Sequence, residues 1–201
     1  MGDVGRTDYF YTDASLPDDW YKIKYSDYTN GGLDRGHMCP SADRTKTVED
    51  NKATFIMTNI VPQTAANNRG VWVNFENYLR DLVRNKNKEI YIIAGVYGSS
   101  GTIKDEEKVR IPLSTWKIAV ILDNGDYDIS RISDDTDVIA IVVPNKTSLD
   151  SDWKSYVHTV GYIEHLLTYD ANNLNNYDFL SKVPDEIEKV IENKEFDGVV
   201  D

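Results

Sequence analysis

A short polar segment of the sequence, residues 33–45, concentrates groups that can transfer protons and bind anions. It reads LDRGHMCPSADRT, and Asp34, Arg35 and His37 surround Gly36 within it. A neutral imidazole can take up a proton near pH 7, and carboxylate and imidazole groups also bind divalent metals. The residue types alone are therefore compatible with a metal site, a catalytic site or a polar surface turn.

A zinc centre is disfavoured because the chain supplies few further ligands. The other histidines, His158 and His165, are seven residues apart on a predicted helix, and Cys39 is the single thiol. The sequence contains no HExxH motif and no Cys/His cluster. We therefore interpret His37 as a proton-transfer group rather than a zinc ligand.

A second group of polar residues lies on a predicted helix, residues 65–84, whose apolar positions form one stripe at helical spacing. At about 100° per residue, Glu76 and Arg80 lie about 80° and about 120° around the predicted helix from Asn68. A purely structural interpretation is also available, with Glu76 and Arg80 as an exposed i,i+4 ion pair and Asn68 as a capping residue. The helix alone does not decide between the two.

The remaining pattern places strands in the middle of the chain and helices around them. Apolar runs predict β-strands at 55–61, 89–95, 115–123 and 137–144. Helices are predicted at 148–167 and 184–193, and the first thirty residues read as loops with short strands. The Asn-Gly pair within 123–128 is typical of a turn, and the spacing of a calcium loop is missing. Because regular βαβ alternation is missing, we predict an α+β fold with an antiparallel sheet.

The composition is that of one globular domain, residues 1–201, with a net charge of −12. This charge disfavours long-range attraction of a polyanion, but it is unevenly distributed. Residues 33–90 contain nine basic and seven acidic residues, whereas the predicted acidic C-terminal helix and tail, 183–201, contain two and seven. A locally basic site on an acidic protein is therefore expected. No signal-peptide or membrane-spanning pattern is present in this sequence.

The motifs together resemble the DNA/RNA non-specific endonucleases, a ββα-metal (His-Me finger) family that includes endonuclease G and secreted bacterial nucleases. The matching residues are Asp34, Arg35, Gly36, His37, Thr58, Asn59, Pro62, Gln63, Asn68, Trp72, Glu76 and Arg80. The string DRGHMCPSADRTKTVEDNKATFIMTNIVPQTAANNRGVW is especially similar to the secreted cyanobacterial member. The resemblance extends from Arg6 to Leu180.

The resemblance implies a role for each of these site residues. His37 is expected to be the general base, Asn68 the direct ligand of Mg²⁺, and Glu76 an acceptor that holds the metal through water. Mn²⁺ is a plausible substitute for Mg²⁺. The residues expected to contact the substrate are Arg6, Arg35, Arg80, Asn59 and Gln63, of which Arg35 and Arg80 are also expected to act in catalysis.

The implied function is Mg²⁺-dependent hydrolysis of phosphodiester bonds in DNA and RNA, with little sequence preference and 5′-phosphate products. Contacts to phosphate and sugar carry no sequence information, which agrees with a non-specific enzyme. Two alternatives stay open: a catalytically weak or inactive nucleic-acid-binding relative, and a protein-interaction domain that uses the acidic surface. We expect secretion or a periplasmic location, no membrane partner, a monomer or homodimer, and a protein inhibitor as a candidate partner.

The supporting residues of the motif carry expectations of their own. Asp34 is expected to orient the motif's backbone or Arg35, and Gly36 to allow a backbone geometry or a close approach that a side chain would block. Trp72 is expected to pack in the core rather than stack on a base. Family strands that precede the Arg6 segment are expected to be missing, and an Asn-rich insertion, 172–176, interrupts the C-terminal family element.

Overall fold

Two antiparallel sheets and five α-helices make up the computed structural model, which describes residues 2–105, 107–168 and 176–200. The strands are β1 (Asp34–His37), β2 (Ile60–Gln63), β3 (Lys88–Tyr97), β4 (Ser114–Asp123), β5 (Asp137–Pro144) and β6 (Val157–His158). The helices are α1 (Val48–Ala53), α2 (Val73–Asn85), α3 (Asp128–Arg131), α4 (Val160–Thr168) and α5 (Asp185–Ile191).

The smaller sheet and the long helix form a continuous ββα unit. β1 pairs antiparallel with β2, so that Asp34 lies opposite Gln63 and His37 opposite Ile60. The chain then enters the predicted helix, but its first turns, Asn67–Trp72, are π-helical before α2 begins. Hydrogen bonding from i to i+5 widens those turns, so the angles predicted for an uninterrupted α-helix do not apply to Asn68.

The larger sheet has the strand order β3-β4-β5-β6, and every pair in it is antiparallel. Alternating residues of β4 and β5 pack on opposite faces, as the twofold period of a strand requires. One face contacts α2 through Ala119, Ile121 and Ile139, and the other packs against α4 and α5 through Ile118 and Val138. The predicted α+β fold with a central, mainly antiparallel sheet between helices is confirmed.

Two of the predicted elements begin later in the chain than the sequence indicated. The strand predicted at 55–61 begins only at Ile60, because Met57–Asn59 form a 3₁₀ turn. Phe55 and Met57 are buried although they do not belong to a strand. The apolar run therefore predicts correctly that these residues are buried, but it does not predict their backbone conformation.

The helix predicted at 148–167 begins only at Val160. Trp153–Tyr156 form a 3₁₀ turn whose preceding residue, Asp152, accepts a hydrogen bond from the Lys154 backbone. β6 then follows and completes the sheet beside β5. Here the backbone hydrogen bonds between β6 and β5 outweigh the local sequence pattern that favours a helix.

The connection between β4 and β5 covers residues 124–136, as the predicted strands imply. Residues 123–128 leave β4 through a turn and continue into α3, so the Asn-Gly pair does not form a two-residue hairpin between β4 and β5. α5 lies within the predicted 184–193 helix, and Ile191 is fully buried against the sheet. Residues 172–175 of the Asn-rich insertion lie outside the described residues. No helix among the described residues is long and apolar enough to cross a membrane.

Candidate active site

β1 holds His37 in an aromatic environment at the end of the ββα unit. The imidazole is 8% exposed and lies edge-on to Phe55, with ring centroids 4.8 Å apart, and 5.8 Å from Phe10. Burial, together with the positive charge of Arg6, lowers the pKa of His37 to about 4. The ring also hydrogen-bonds to the backbone of Arg35, while Nε2 has no partner among the described residues. His37 is therefore neutral at pH 7, and its Nε2, which is buried in this structure, keeps a lone pair that can accept a proton.

The π-helical segment places Asn68 beside β1. Its Nδ2 donates to Oδ2 of Asp34 at 2.9 Å, and its Oδ1 accepts no hydrogen bond from the residues the structure describes. Burial opposes ionisation of Asp34, but hydrogen bonds from Arg69 and Asn68 hold the pKa of its carboxyl below the usual range. A carboxylate that binds the amide nitrogen leaves the amide oxygen of Asn68 as a free ligand.

The partners of Asp34 and Gly36 differ from those predicted. The Asp34 carboxylate binds both Asn68 and the guanidinium of Arg69, with Arg69 Nε 2.8 Å from Oδ2, and it does not pair with Arg35. At Gly36, an added Cβ would lie 1.6 Å from Oε1 of Gln63. The glycine therefore makes room for a buried side chain of β2 and not for the substrate.

Glu76 and Arg80 are buried residues of α2 and not an exposed ion pair. They are 8% and 7% exposed, and Arg80 Nη1 lies 3.9 Å from Glu76 Oε2. Arg80 donates to Asp43 at 2.8 Å, whereas Glu76 Oε1 accepts from Nζ of Lys117 at 3.1 Å. Burial raises the pKa of Glu76, against the influence of the Lys117 ammonium.

The arginines around the site differ in whether an acidic residue already pairs with them, and therefore in how readily they can bind an anion. Arg35 stacks its guanidinium over Tyr25, 3.7 Å from the ring centroid, and has no acidic partner among the described residues. Arg6 is exposed and pairs with Asp8 at 2.6 Å. Arg35 is therefore the cation most available to a phosphate, since it gives up no ion pair on binding.

One cavity of about 360 Å³ collects most of the predicted site residues. Its charged and polar lining includes Arg6, Arg35, His37, Ser41, Asn68, Arg69, Glu76 and Arg80. These residues come from the N-terminal segment, from β1 and the 3₁₀ turn after it, from the π-helical segment and from α2. A larger cavity of about 650 Å³ lies on the opposite face of the sheet, has a mostly apolar lining and contains none of them.

Asn59 and Gln63, the other two predicted substrate contacts, do not line this cavity. Asn59 accepts a hydrogen bond from the backbone N–H of Cys39 and donates to the backbone carbonyls of Cys39 and Thr54. Gln63 is fully buried, and its Nε2 donates to Asn67 at 2.8 Å. Both side chains thus hold the segments that carry the site, and neither presents a surface to a ligand in this cavity.

Lys117 and Arg69 are site residues that the sequence reasoning missed. Lys117 is a charged residue within the otherwise apolar strand TWKIAVILD, in which every residue of β4 but the last is buried. A lone lysine in such a run is a signal for a buried ion pair, and it was available in the sequence. Arg69 gave no such signal, because its pairing with Asp34 depends on the packing of the helix against β1. Trp72 packs in the core as predicted, is 1% exposed, and donates to the carbonyl of His37.

Two antiparallel strands followed by a helix, with a histidine on the first strand and Asn and Glu on the helix, define a ββα-metal nuclease fold. Residues 2–186 match the family described as DNA/RNA non-specific endonuclease, and the chain belongs to that family. It is accordingly a nuclease, and the family is in general dependent on a divalent metal.

Several relatives carry names that agree with this family. The chain is 46% identical to a nuclease of Nostoc sp. over 194 residues, which are 96% of this chain and 67% of that protein. It is 29% identical to the mitochondrial nuclease EXOG of Xenopus laevis, over 68% of this chain and 39% of that protein. The chain thus spans about two fifths of the length of that mitochondrial relative.

A solved structure shows the same fold at low sequence identity. The EndoG/EndoGI complex, whose description concerns the mechanism of EndoG inhibition, contains a chain that matches with a TM-score of 0.65. The match is 22% identical and covers 81% of this chain and 68% of that chain.

Proposed function

We propose that the protein is a Mg²⁺-dependent endonuclease that hydrolyses DNA and RNA with little sequence preference and leaves 5′-phosphate ends. The observation that carries this proposal is the single cavity that contains a neutral histidine, a free amide oxygen and several arginines. A phosphodiester resists attack because its negative charge repels the nucleophile. Hydrolysis therefore needs a base, a cation and positive charge at the phosphate, and this lining supplies groups for all three.

The oxygen donors of the cavity fit a hard divalent cation. Asn68 offers a side-chain amide oxygen that Asp34 leaves free, and Glu76 offers a carboxylate whose Oε2 lies 3.9 Å from the nearest Arg80 nitrogen. Oxygen ligands, few in number, suit Mg²⁺, which keeps several waters when it binds proteins. We assign Asn68 as the direct ligand and Glu76 as the residue that holds the ion through water, with Mn²⁺ as a substitute. The bound ion would supply charge neutralisation at the scissile phosphate.

The protein's own side chains perform the remaining steps. Nε2 of His37 accepts the proton of the attacking water, a role for which its neutral form is required. The guanidinium groups of Arg35, Arg80 and Arg6 bind phosphate oxygens and stabilise the charge that develops on them. These contacts involve phosphate alone, so sequence and sugar type have little influence.

Incubation with supercoiled plasmid and with RNA, with Mg²⁺ or with EDTA, tests the proposal. We expect both substrates to be degraded in Mg²⁺ and preserved in EDTA, and His37→Ala to reduce the rate about 100- to 10,000-fold. His158→Ala is the matched control, because His158 stacks on Tyr162, remote in the chain from the site, and its loss should leave the rate unchanged. Intact plasmid and RNA with folded wild-type protein in Mg²⁺ would refute the enzymatic function.

The same assay separates the enzyme from its inactive-relative alternative. A nucleic-acid-binding relative would retard the plasmid in a gel without cutting it, and His37→Ala would not change the retardation. The retained base favours the enzyme, because binding alone has no use for a buried neutral imidazole.

Partners and location follow from the same proposal. DNA and RNA are the proposed substrates, and a protein inhibitor is a candidate partner because the similar EndoG chain was solved with EndoGI. We propose secretion or a periplasmic location, although the EXOG relatives are mitochondrial, and a monomeric or homodimeric state.

A further inference from the structure

Lys117 is a fully buried lysine at the centre of the larger sheet. It lies on the face of β4 that packs against α2, between Thr115 and Ala119, and its partners on the neighbouring strands are the apolar residues Ala94 and Ile141. Burying an ammonium group costs free energy unless the group is paired. The residues that pair with Lys117 therefore indicate why a lysine is present at this position.

Among the residues that the structure describes, the polar partners of the Lys117 ammonium are two residues of the cavity lining, Glu76 and Trp72. Its Nζ donates to Oε1 of Glu76 at 3.1 Å and lies 4.3 Å from the ring centroid of Trp72. Trp72 in turn donates to the carbonyl oxygen of His37 at 3.1 Å. The Lys117 ammonium thus contacts the Glu76 carboxylate from the core. It is also connected to His37 on β1 through one intervening side chain, that of Trp72.

We propose that Lys117 is a positioning residue that fixes the Glu76 carboxylate for the metal's water shell. This inference rests on the proposed function and deepens it. Because Oε1 is bound to Lys117, Oε2 is left as the oxygen that can accept from metal-bound waters. Without Lys117, the one cation within 4.0 Å of Glu76 among the described residues is Arg80, and the carboxylate is expected to turn toward it.

A purely structural role for Lys117 makes a different prediction. A lysine that only stabilised the core would lower the melting temperature when replaced, but it would leave the metal affinity of the folded protein unchanged. A lysine that acts through Glu76 changes metal affinity, and this change disappears when Glu76 can no longer act. A double-mutant cycle distinguishes the two.

The experiment measures Mn²⁺ binding from the loss of the free-ion EPR signal, without substrate, on protein whose fold is verified by circular dichroism. The variants are Lys117→Met, Glu76→Gln, the double variant, and Ile121→Ala as a control. Ile121 lies on the same face of β4 and is buried in the same core, so its truncation destabilises the protein without touching Glu76.

We expect Lys117→Met to weaken Mn²⁺ binding about 10-fold, as the loss of a group that orients a metal-water acceptor does. In the Glu76→Gln background the same change should alter binding less than about twofold, and Ile121→Ala should leave it unchanged. If Lys117→Met does not fold, Lys117→Gln, which is polar but too short to bind Oε1 as the lysine does, takes its place. Weaker Mn²⁺ binding with Glu76 present and no such change in the Glu76→Gln background support the inference.

Two results overturn the inference and leave the metal site standing. One is wild-type affinity in folded Lys117→Met, and the other is an equal loss with and without the Glu76 carboxylate. A folded wild-type protein that binds no Mn²⁺ and cuts no plasmid overturns the proposed function itself, and the role of Lys117 falls with it.

Discussion

The Asn68 side-chain nitrogen donates to the Asp34 carboxylate across 2.9 Å, and this bond determines which atom of the amide remains free. An amide flipped by 180° would bring its oxygen against a carboxylate, which repels it. Asp34 therefore acts on the metal site through Asn68, although a carboxylate in a DRGH motif suggests a ligand. Arg69 favours the ionised carboxylate by donating to both of its oxygens, one of which, Oδ2, it shares with Asn68.

Replacement of Asp34 by Asn should weaken metal binding. The new amide can present either end to Asn68, so the orientation of the ligand oxygen is no longer fixed, and we expect affinity for Mn²⁺ and plasmid cleavage to fall about 10- to 100-fold. Isothermal titration with Mn²⁺ measures the first and a plasmid assay the second. Asp19→Asn, an exposed acid remote in sequence from the motif, is the control. Unchanged Mn²⁺ affinity in Asp34→Asn would show that Asn68 is oriented by something else.

The buried imidazole of His37 should make the protein less stable in acid. Its pKa is about 4 in the folded state and 6.5 when unperturbed, so the unfolded chain binds the proton first as the pH falls. The free energy of unfolding therefore decreases as the pH is lowered from 6.5, and the loss is complete below about pH 4. The expected contribution is about 3 kcal/mol.

Urea unfolding at pH 7 and at pH 4 measures this contribution, with His37→Gln as the comparison. Glu76 has a raised pKa and acts in the opposite direction, so the wild-type curve alone mixes the two effects. We expect the stability of the wild type to fall more than that of His37→Gln over this interval. Parallel losses in the two proteins would contradict a depressed pKa for His37.

Gly36→Ala should destabilise the ββα unit through one contact. The added Cβ would lie 1.6 Å from Oε1 of Gln63, which is fully buried and cannot move aside freely. We expect a loss of about 1–3 kcal/mol, typical of overpacking, in chemical denaturation. Adding Gln63→Ala removes the clashing atoms and should recover part of it.

A matched glycine tests whether the effect of Gly36→Ala is local. Gly5 has no heavy atom within 4 Å of an added Cβ, and Gly5→Ala should be close to neutral. If Gln63→Ala gives no recovery in the Gly36→Ala background, the clash is not the cause.

Asn59→Ala separates support from substrate binding. The Asn59 amide satisfies the backbone of Cys39 and the carbonyl of Thr54, so its removal leaves polar groups unpaired and should cost about 1–3 kcal/mol of stability. Because Asn59 does not line the cavity, we expect KM for plasmid DNA to remain within about twofold of wild type. A large rise in KM with little loss of stability would restore the substrate contact that the sequence predicted.

Much of the fold could be predicted from the sequence because buried strands appear in it as runs of apolar residues. The strands at 89–95, 115–123 and 137–144 were predicted correctly to within a few residues, since the apolar runs of β4 and β5 are buried on both faces and β3 pairs along β4. The 148–167 helix was predicted too long, because β6 forms only through pairing with β5, a partner that local pattern cannot reveal.

For the site as well, the residue types could be predicted from the sequence, whereas the partners of those residues could not. Spacing in the chain, read through family resemblance, was sufficient to bring His37, Asn68, Glu76, Arg80 and Arg35 into one hypothesis, and these residues line one cavity. The partners that orient them were not predictable in this way. Asp34 with Asn68 and Lys117 with Glu76 are separated by 34 and 41 residues.

The sequence by itself determined the fold class, the positions of β3, β4 and β5 along the chain, and the chemical groups of the predicted site. Only the tertiary structure decided that the amide oxygen of Asn68 and Oε2 of Glu76 are the atoms left free, since that depends on how β1 packs beside the π-helical segment and β4 beside α2. Hydrogen bonds between distant segments form only when packing fixes those positions. A polar residue's type shows what it can bind, and its buried neighbours determine which of its atoms remain available to do so.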